Sequence, residues 1–209
     1  MNYIELNNQV IIRDENGKYQ LNKDKEALKS YLEDYIEPKM KKFDNLNDRL
    51  NYLVENDYYS KEILDLYDQY VIDVIYDFIR AKNFKFQSYM SASKFYQNYA
   101  LKSNDGEEIL ENYEDKVLIV ALTLGNGEPK LAKDIAEKLI NQEFQPATPT
   151  FLNAGRARGG KMVSCFLVNV EDSCEGISYA VSSANHLSKI GGGVALNLTR
   201  LRASGESIK

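Results

Sequence analysis

A thiol and several hydroxyls lie close together in the second half of the sequence. Thr148 and Thr150 flank a proline, and Ser164 directly precedes Cys165 in the apolar stretch MVSCFLVNV of residues 162–170. Because α/β folds place their chemistry at strand ends, these groups could meet there and act on a ligand. The alternative is that Cys165 only packs, as lone cysteines in apolar strands usually do.

Two glycine-rich segments could approach a ligand. Gly155, Gly160 and Lys161 satisfy most of the spacing of a phosphate-binding loop. We reject that function, because Met162 stands where Ser or Thr would hold magnesium and because a strand follows instead of a helix. Gly191-Gly192-Gly193 leaves two interpretations open: a left-handed helix C-cap, or a backbone that something approaches closely.

The remaining candidate groups carry weaker patterns. We interpret Cys174 as structural, since nothing near it resembles a metal-ligand set. His186, the single histidine, lies within a predicted helix, so a Cys-His or Ser-His-Asp triad has little support. Asp172, Arg200 and Arg202 are ordinary surface charges if taken singly. As a set that flanks one strand–helix–strand unit, they could hold a charged ligand.

Composition excludes several classes of protein. The chain has 209 residues, 27% of them charged, and a net charge of -5, which argues against a general nucleic-acid or membrane surface. The N-terminus lacks the apolar core of a signal peptide, and no apolar run approaches the ~20 residues of a membrane span. Two cysteines do not make a disulfide framework. We expect a soluble cytoplasmic protein.

The first 145 residues read as helical support for these groups. Residues 1–22 are predicted to form a hairpin, with strands at 9–12 and 18–21 around the turn Glu15-Asn16-Gly17. A helix capped by Asn22 or Asp24 and ended by Pro38 follows. Apolar periodicity predicts further helices over residues 45–56, 60–81 (one or two helices), 92–101, 107–112, 115–124 and 130–141.

The pattern changes after Phe144. Residues 162–170 are almost continuously apolar, which predicts a strand covered on both faces. A helix over 174–189 and a strand over 194–198 complete a βαβ unit. The helix should bury Ile177, Ala180, Val181, Ala184 and Leu187. We therefore predict an α+β protein, with a mainly helical domain at 1–145 and the start of a parallel α/β domain at 146–209.

Several long motifs resemble one enzyme family. ATPTFLNAG, VSCFLVNVEDS and LSKIGGGVALNLTRLRASGESIK resemble the large, catalytic subunit of class I ribonucleotide reductase. DKEALKSYLEDYI, LNYLVENDYY, SYMSASKFYQNYAL and LINQEFQPATPTFLNAG resemble its class Ib form from Gram-positive bacteria and their phages. The likeness covers the whole chain, without the ATP-binding cone of many class Ia subunits.

The resemblance implies a reaction and a fold. The family reduces ribonucleoside diphosphates at the 2′ carbon, after a cysteine thiyl radical inside a ten-stranded α/β barrel abstracts the 3′ hydrogen. Residues 146–209 would form the first β/α segments of that barrel. By motif match, Cys165 resembles one thiol of the redox pair, and Cys174 does not match the other.

Other site residues follow from the same match. Thr148, Ser164 and Gly193 match substrate-contacting positions, which favours ligand approach at the triple glycine. Asp172 and Arg202 match positions of the allosteric specificity site, where a deoxynucleoside triphosphate binds near the dimer interface.

The resemblance also implies partners. These are a ribonucleoside diphosphate substrate, a dimetal small subunit that generates the radical, a thioredoxin- or glutaredoxin-like reductant, dNTP and ATP effectors, and a second copy in a full-length homodimer. No metal or other cofactor is expected in this chain, and neither DNA nor a membrane as partner. The radical-bearing cysteine, the second redox cysteine and the radical-path tyrosines are missing from these 209 residues. We therefore expect no reductase activity from this chain alone. The alternative is an effector-binding or subunit-interaction fragment without catalysis.

Overall fold

The computed structural model describes residues 1–207. Ile208 and Lys209, the last positions of the predicted second domain, lie outside the described residues. The chain divides into two compact units by its contacts: Met1–Gln145 with Gly155–Arg158, and Pro146–Ala154 with the residues from Gly159 onward. This division describes which residues contact one another. That residues 1–145 and 146–209 form two separate domains stays a prediction.

The first unit is built from helices. They are α1 (Tyr3–Gln9), α2 (Asn22–Ser30), α3 (Leu46–Glu55), α4 (Lys61–Leu64), α5 (Gln69–Ala81), α6 (Tyr89–Asn98), α7 (Tyr113–Gly125) and α8 (Pro129–Ile140). A π-helical turn (Tyr31–Ile36) and a 3₁₀ turn (Glu37–Lys39) extend α2 and contain Pro38, after which the helical segment ends. The helices predicted near 45–56, 60–81, 92–101, 115–124 and 130–141 are thus confirmed, with ends shifted by up to three residues.

The core of this unit surrounds α7. From Val117 to Leu122 the helix is apolar and buried on every side, as expected of a segment covered by neighbours all round. Gly125 allows close packing against α8, because a Cβ built there would lie 2.7 Å from the Ala132 Cβ. The predicted role of the apolar residues in core packing is therefore confirmed for α7.

The predicted N-terminal hairpin is wrong. Asn2 and Glu5 form a reciprocal capping box that starts α1, and the buried Leu6 anchors the helix. Only the turn survives: Gly17 has φ +75°, and a single antiparallel bridge joins Arg13 to Tyr19. A two-stranded ribbon of four-residue strands is only marginally stable, so the capped helix prevails.

The predicted helix at 107–112 is also wrong. The Asp105 carboxylate accepts the Glu107 N–H at 3.0 Å, and Gly106 has φ +78°, so the chain turns instead of coiling. The Ile109 N–H then donates to the Lys39 carbonyl at 2.8 Å, so this segment forms isolated β-bridges instead of a helix.

The second unit contains α9 (Thr148–Asn153), β1 (Cys165–Asn169), α10 (Cys174–Lys189) and β2 (Gly193–Asn197). β1 and β2 are parallel, and Cys165 is the register partner of Gly193. The predicted βαβ unit and α+β class are confirmed. The sequence analysis missed α9, although a proline in the first turn of a helix, here Pro149, is a known start signal.

Burial in this unit differs from the prediction. β1 was expected to be covered on both faces, but Leu167 is 87% exposed and the strand alternates between half-buried and exposed residues. On α10 only Ala180 of the predicted face is buried, and Val181 is 51% exposed. Within the described residues, the apolar pattern of a segment therefore does not predict which of its faces is buried.

Candidate functional site

The candidate thiol lies at the amino-terminal end of β1. Cys165 is exposed, and its Sγ lies 3.8 Å from the Ser164 Oγ. The Gly193 N–H donates to the Ser164 carbonyl at 2.7 Å, so the starts of the two strands are tied together. The structure thus brings Ser164, Cys165 and Gly193 to one place, and a purely buried packing role for Cys165 is excluded.

The three glycines have three different roles. Gly191 has φ +87° and donates to the Ser188 carbonyl at 3.0 Å, as a left-handed cap of α10 does. A Cβ on Gly192 would lie 2.5 Å from the ring of Phe166, whereas a Cβ on Gly193 would meet only the Ser164 carbonyl oxygen, at 3.5 Å. The cap interpretation therefore applies to Gly191, and Gly193 leaves open space beside Cys165.

Helix α9 holds the segment that leads into the thiol. Thr150 donates from Oγ1 to the Met162 carbonyl at 2.9 Å, and Asn153 donates from Nδ2 to the Lys161 carbonyl at 2.9 Å. Thr148 is the first residue of the same helix. These bonds connect the helix that carries Thr148 to the segment just before β1, the strand that begins at Cys165. Asn153 was missed, because an asparagine near a helix end has no sequence pattern that predicts a long loop contact.

Asp172 and Arg202 form a second group. The Arg202 Nε donates to the Asp172 carboxylate at 2.7 Å, and its Nη2 donates to the Asp172 carbonyl at 3.0 Å. Of the three charges predicted to act as a set, this pairing joins Asp172 and Arg202. Arg200 is exposed, and the structure does not bring it into this pair.

The two groups lie at opposite ends of the βαβ unit. Cys165 and Gly193 begin their strands, whereas Asp172 follows β1 and Arg202 follows β2. A five-residue strand separates these ends by about 16 Å. Open α/β sheets bind ligands outside the carboxyl ends of their strands. That general rule alone would have selected the Asp172 and Arg202 end, not the thiol.

Other candidates are placed as follows. Cys174 is the first residue of α10 and is exposed, so it does not pack in the core as a structural thiol would. His186 is exposed on α10. Among residues 1–207 there is no group of three His, Cys, Asp or Glu side chains able to hold a metal ion. In the same range, no helix has both the length and the apolar character that crossing a bilayer requires.

Comparisons with known proteins give consistent matches along the chain. Residues 3–84 match the family model described as ribonucleotide reductase N-terminal, residues 85–159 its all-alpha domain, and residues 163–209 its barrel domain. The ribonucleoside-diphosphate reductase subunit alpha of Bacillus subtilis is 53% identical over 207 residues, which is 99% of this chain and 29% of the relative.

Phage and mycoplasma proteins are similar too. The ribonucleoside-diphosphate reductase nrdEB subunit alpha of Bacillus phage SPbeta is 52% identical over 100% of this chain and 19% of its own length. The subunit alpha of Mycoplasma pneumoniae is 44% identical over 89% of this chain and 26% of its own length. The chain thus spans less than a third of each of these relatives.

Proposed function

Because this chain belongs to the family of ribonucleotide reductase large subunits, we propose that it serves as the N-terminal part of a ribonucleoside-diphosphate reductase of the class Ib type. The observation that carries the proposal is the succession of three family matches across residues 3–209. The activity would convert ribonucleoside diphosphates to deoxyribonucleoside diphosphates for DNA replication. The polypeptide beyond this part would supply the thiyl radical and the second redox thiol.

In this proposal Cys165 is a reducing thiol. Replacing the 2′ C–OH bond by C–H consumes two thiols and yields one disulfide and one water, so the electrons and atoms balance. A thiol in such a step must reach the ribose and a second sulfur. The exposed Sγ of Cys165 and the space beside Gly193 are compatible with both requirements. Thr148 and Ser164 would offer hydroxyls to phosphate and ribose oxygens.

The effector site is assigned to the other end of the βαβ unit. Asp172 and Arg202 would hold a deoxynucleoside triphosphate or ATP, with the guanidinium available for phosphate and the carboxylate for a hydroxyl. The remaining partners we propose are the dimetal small subunit, a thioredoxin- or glutaredoxin-like reductant and a second large subunit, in the cytoplasm. The position of this pair at the carboxyl ends of the strands supports the alternative function as well, an effector-binding fragment without catalysis.

A pair of cysteine variants tests the catalytic proposal. In the assembled enzyme, with small subunit and a dithiol present, Cys165→Ser should abolish deoxynucleotide formation. Cys174→Ser is the matched control, since it removes the other exposed thiol of this chain, and it should leave turnover unchanged. Both variants should keep their far-UV circular dichroism. Turnover that survives Cys165→Ser would contradict the assigned role.

Assays of the isolated chain distinguish the catalytic function from the effector-binding alternative. We expect it to form no deoxynucleotide under the same assay. Calorimetric titration with dTTP and with CDP then decides the alternative: heat with dTTP alone supports an effector-binding fragment, and no heat with either nucleotide argues against it.

A further inference from the structure

We propose that Phe166 is a positioning residue whose ring, seated against Gly192, holds Gly193 beside Cys165. The inference rests on the proposed function only in taking Cys165 as the working thiol. Phe166 follows Cys165 directly in β1, so its side chain points to the opposite face of the strand. It therefore acts from behind the site and does not touch a ligand on the thiol face.

The contact between Phe166 and Gly192 is too close for any other residue at position 192. A Cβ there would lie 2.5 Å from the Phe166 Cε2, 2.7 Å from its Cδ2 and 2.9 Å from the Leu187 carbonyl oxygen. The backbone itself does not require glycine, because the positive-φ glycines include Gly191 but not Gly192. The absence of a side chain at Gly192 is thus explained by packing against the ring and against the Leu187 carbonyl.

This packing determines where the next residue lies. The Gly192 N–H donates to the Leu187 carbonyl at 3.0 Å, and the Gly193 N–H donates to the Ser164 carbonyl at 2.7 Å. Gly193 is therefore held between the end of α10 and the start of β1, in register with Cys165. Displacing Gly192 from the ring would lengthen the bond from Gly193 to Ser164, because the two glycines are consecutive.

The consequence concerns the space beside the thiol. Since the Gly193 N–H is already committed to Ser164, Gly193 offers a ligand room instead of a hydrogen bond from its amide. The ring of Phe166 keeps that room at a fixed place relative to the Cys165 Sγ. A change in ring size should therefore alter the thiol's surroundings without removing any group from the thiol face.

Size compensation between the two residues tests this directly. Four variants are compared with the parent chain: Gly192→Ala, Phe166→Ala, the double variant, and Val168→Ala as the matched truncation two residues along the same strand face. Amide hydrogen exchange at Gly193, followed by NMR, reports the bond to Ser164. The alkylation rate of Cys165 by iodoacetamide, with Cys174 as internal reference, reports the surroundings of the thiol.

Gly192→Ala should speed exchange at Gly193 by roughly tenfold, because the hydrogen bond to the Ser164 carbonyl is lengthened and weakened. The double variant should recover part of that protection, since removing the ring makes room for the methyl group while the contact with the Leu187 carbonyl remains. Phe166→Ala should raise exchange at Gly193 above that of Val168→Ala, and should change the Cys165 alkylation rate relative to Cys174.

The proposal fails if Gly192→Ala leaves Gly193 protected, or if the double variant exchanges as fast as Gly192→Ala alone. Should the alanine at 192 prevent folding in both backgrounds, equal exchange in Phe166→Ala and Val168→Ala overturns it. None of these measurements needs a nucleotide. A failure of ribonucleotide reduction would therefore leave this inference standing, and its own failure would leave the proposed function untouched.

Discussion

Substitution of Gly155 should reveal how tightly the chain between α9 and β1 packs on the helical core. Gly155 has φ +72°, and a Cβ there would lie 2.2 Å from the Ile119 Cγ1 and 2.6 Å from its Cδ1. In Gly155→Ala, left-handed strain costs about 1–2 kcal/mol and overpacking a further ~1–3 kcal/mol. The restricted unfolded chain returns about 0.4–1 kcal/mol. We expect a net loss of roughly 2–4 kcal/mol of unfolding free energy.

Gly17→Ala is the matched control, because Gly17 has φ +75° and nothing within 4 Å of its built Cβ. It carries the backbone strain without the collision, so it should cost about 0–1.5 kcal/mol. Urea denaturation followed by circular dichroism measures the unfolding free energy of both variants. In a thermal melt, a difference of 1 kcal/mol corresponds to roughly 2–4 °C in Tm for a chain of this size. Adding Ile119→Ala should make the Gly155→Ala cost smaller than in the parent background. Equal losses in Gly155→Ala and Gly17→Ala would refute the packing argument.

Three further predictions address charge, ligand space and the effector end. Burial lowers the pKa of Lys116 to about 8 from 10.5, although Glu111 lies 3.8 Å away. The unfolded chain therefore binds the Lys116 proton more tightly than the folded chain does. The unfolding free energy of the parent relative to Lys116→Met should rise between pH 8 and 10.5, by up to about 3 kcal/mol. A difference that stays constant across this pH range contradicts the prediction. Gly193→Ala should change stability by less than ~1 kcal/mol yet abolish turnover in the assembled enzyme, so retained turnover would exclude the assigned space. Arg202→Ala should weaken dTTP binding by roughly tenfold or more in calorimetry and spare CDP, because a charged contact to phosphate is lost only at the effector end. The fold should be kept, because the partly exposed pair with Asp172 adds little to stability.

The helices were predictable where a periodic apolar face and clear end signals coincide. For α10 the cap Ser173 and the left-handed Gly191 define both ends, so its bounds agree with the prediction. Residues 1–12 failed because Val10-Ile11-Ile12 is too short for periodicity to distinguish strand from helix. The segment 107–112 failed because a single carboxylate, Asp105, captures the backbone before a helical turn forms.

The candidate site was predictable as a set of residues but not as an arrangement. Motifs identified Ser164, Cys165 and Gly193, and their common place follows from the parallel register, which a βαβ pattern allows but does not specify. The seat of Phe166 against Gly192 depends on how α10 ends above β1. Such contacts arise from tertiary packing, and neither residue type nor spacing in the sequence encodes them.

A buried carboxylate explains why Gly155–Arg158 belongs to the helical unit. Glu111 is fully buried and accepts from the Tyr59 hydroxyl at 2.6 Å, from the Leu101 N–H at 2.8 Å and from the Arg156 Nη2 at 3.4 Å. Its pKa is lowered despite the desolvation that opposes this, because Lys116, Arg156 and these donors favour the ionised form.

Removing the partners of a buried ionised group costs the protein several kcal/mol of stability. The Arg156 side chain is therefore held where Glu111 is. Arg158, paired with Asp57, precedes Cys165 by only seven residues. Within the second unit, α9 holds the carbonyls of Lys161 and Met162, a few residues before the thiol. Support for the candidate site within this unit accordingly comes from residues on both sides of it in sequence: Asn153 before Cys165, and Phe166 with Gly192 after it.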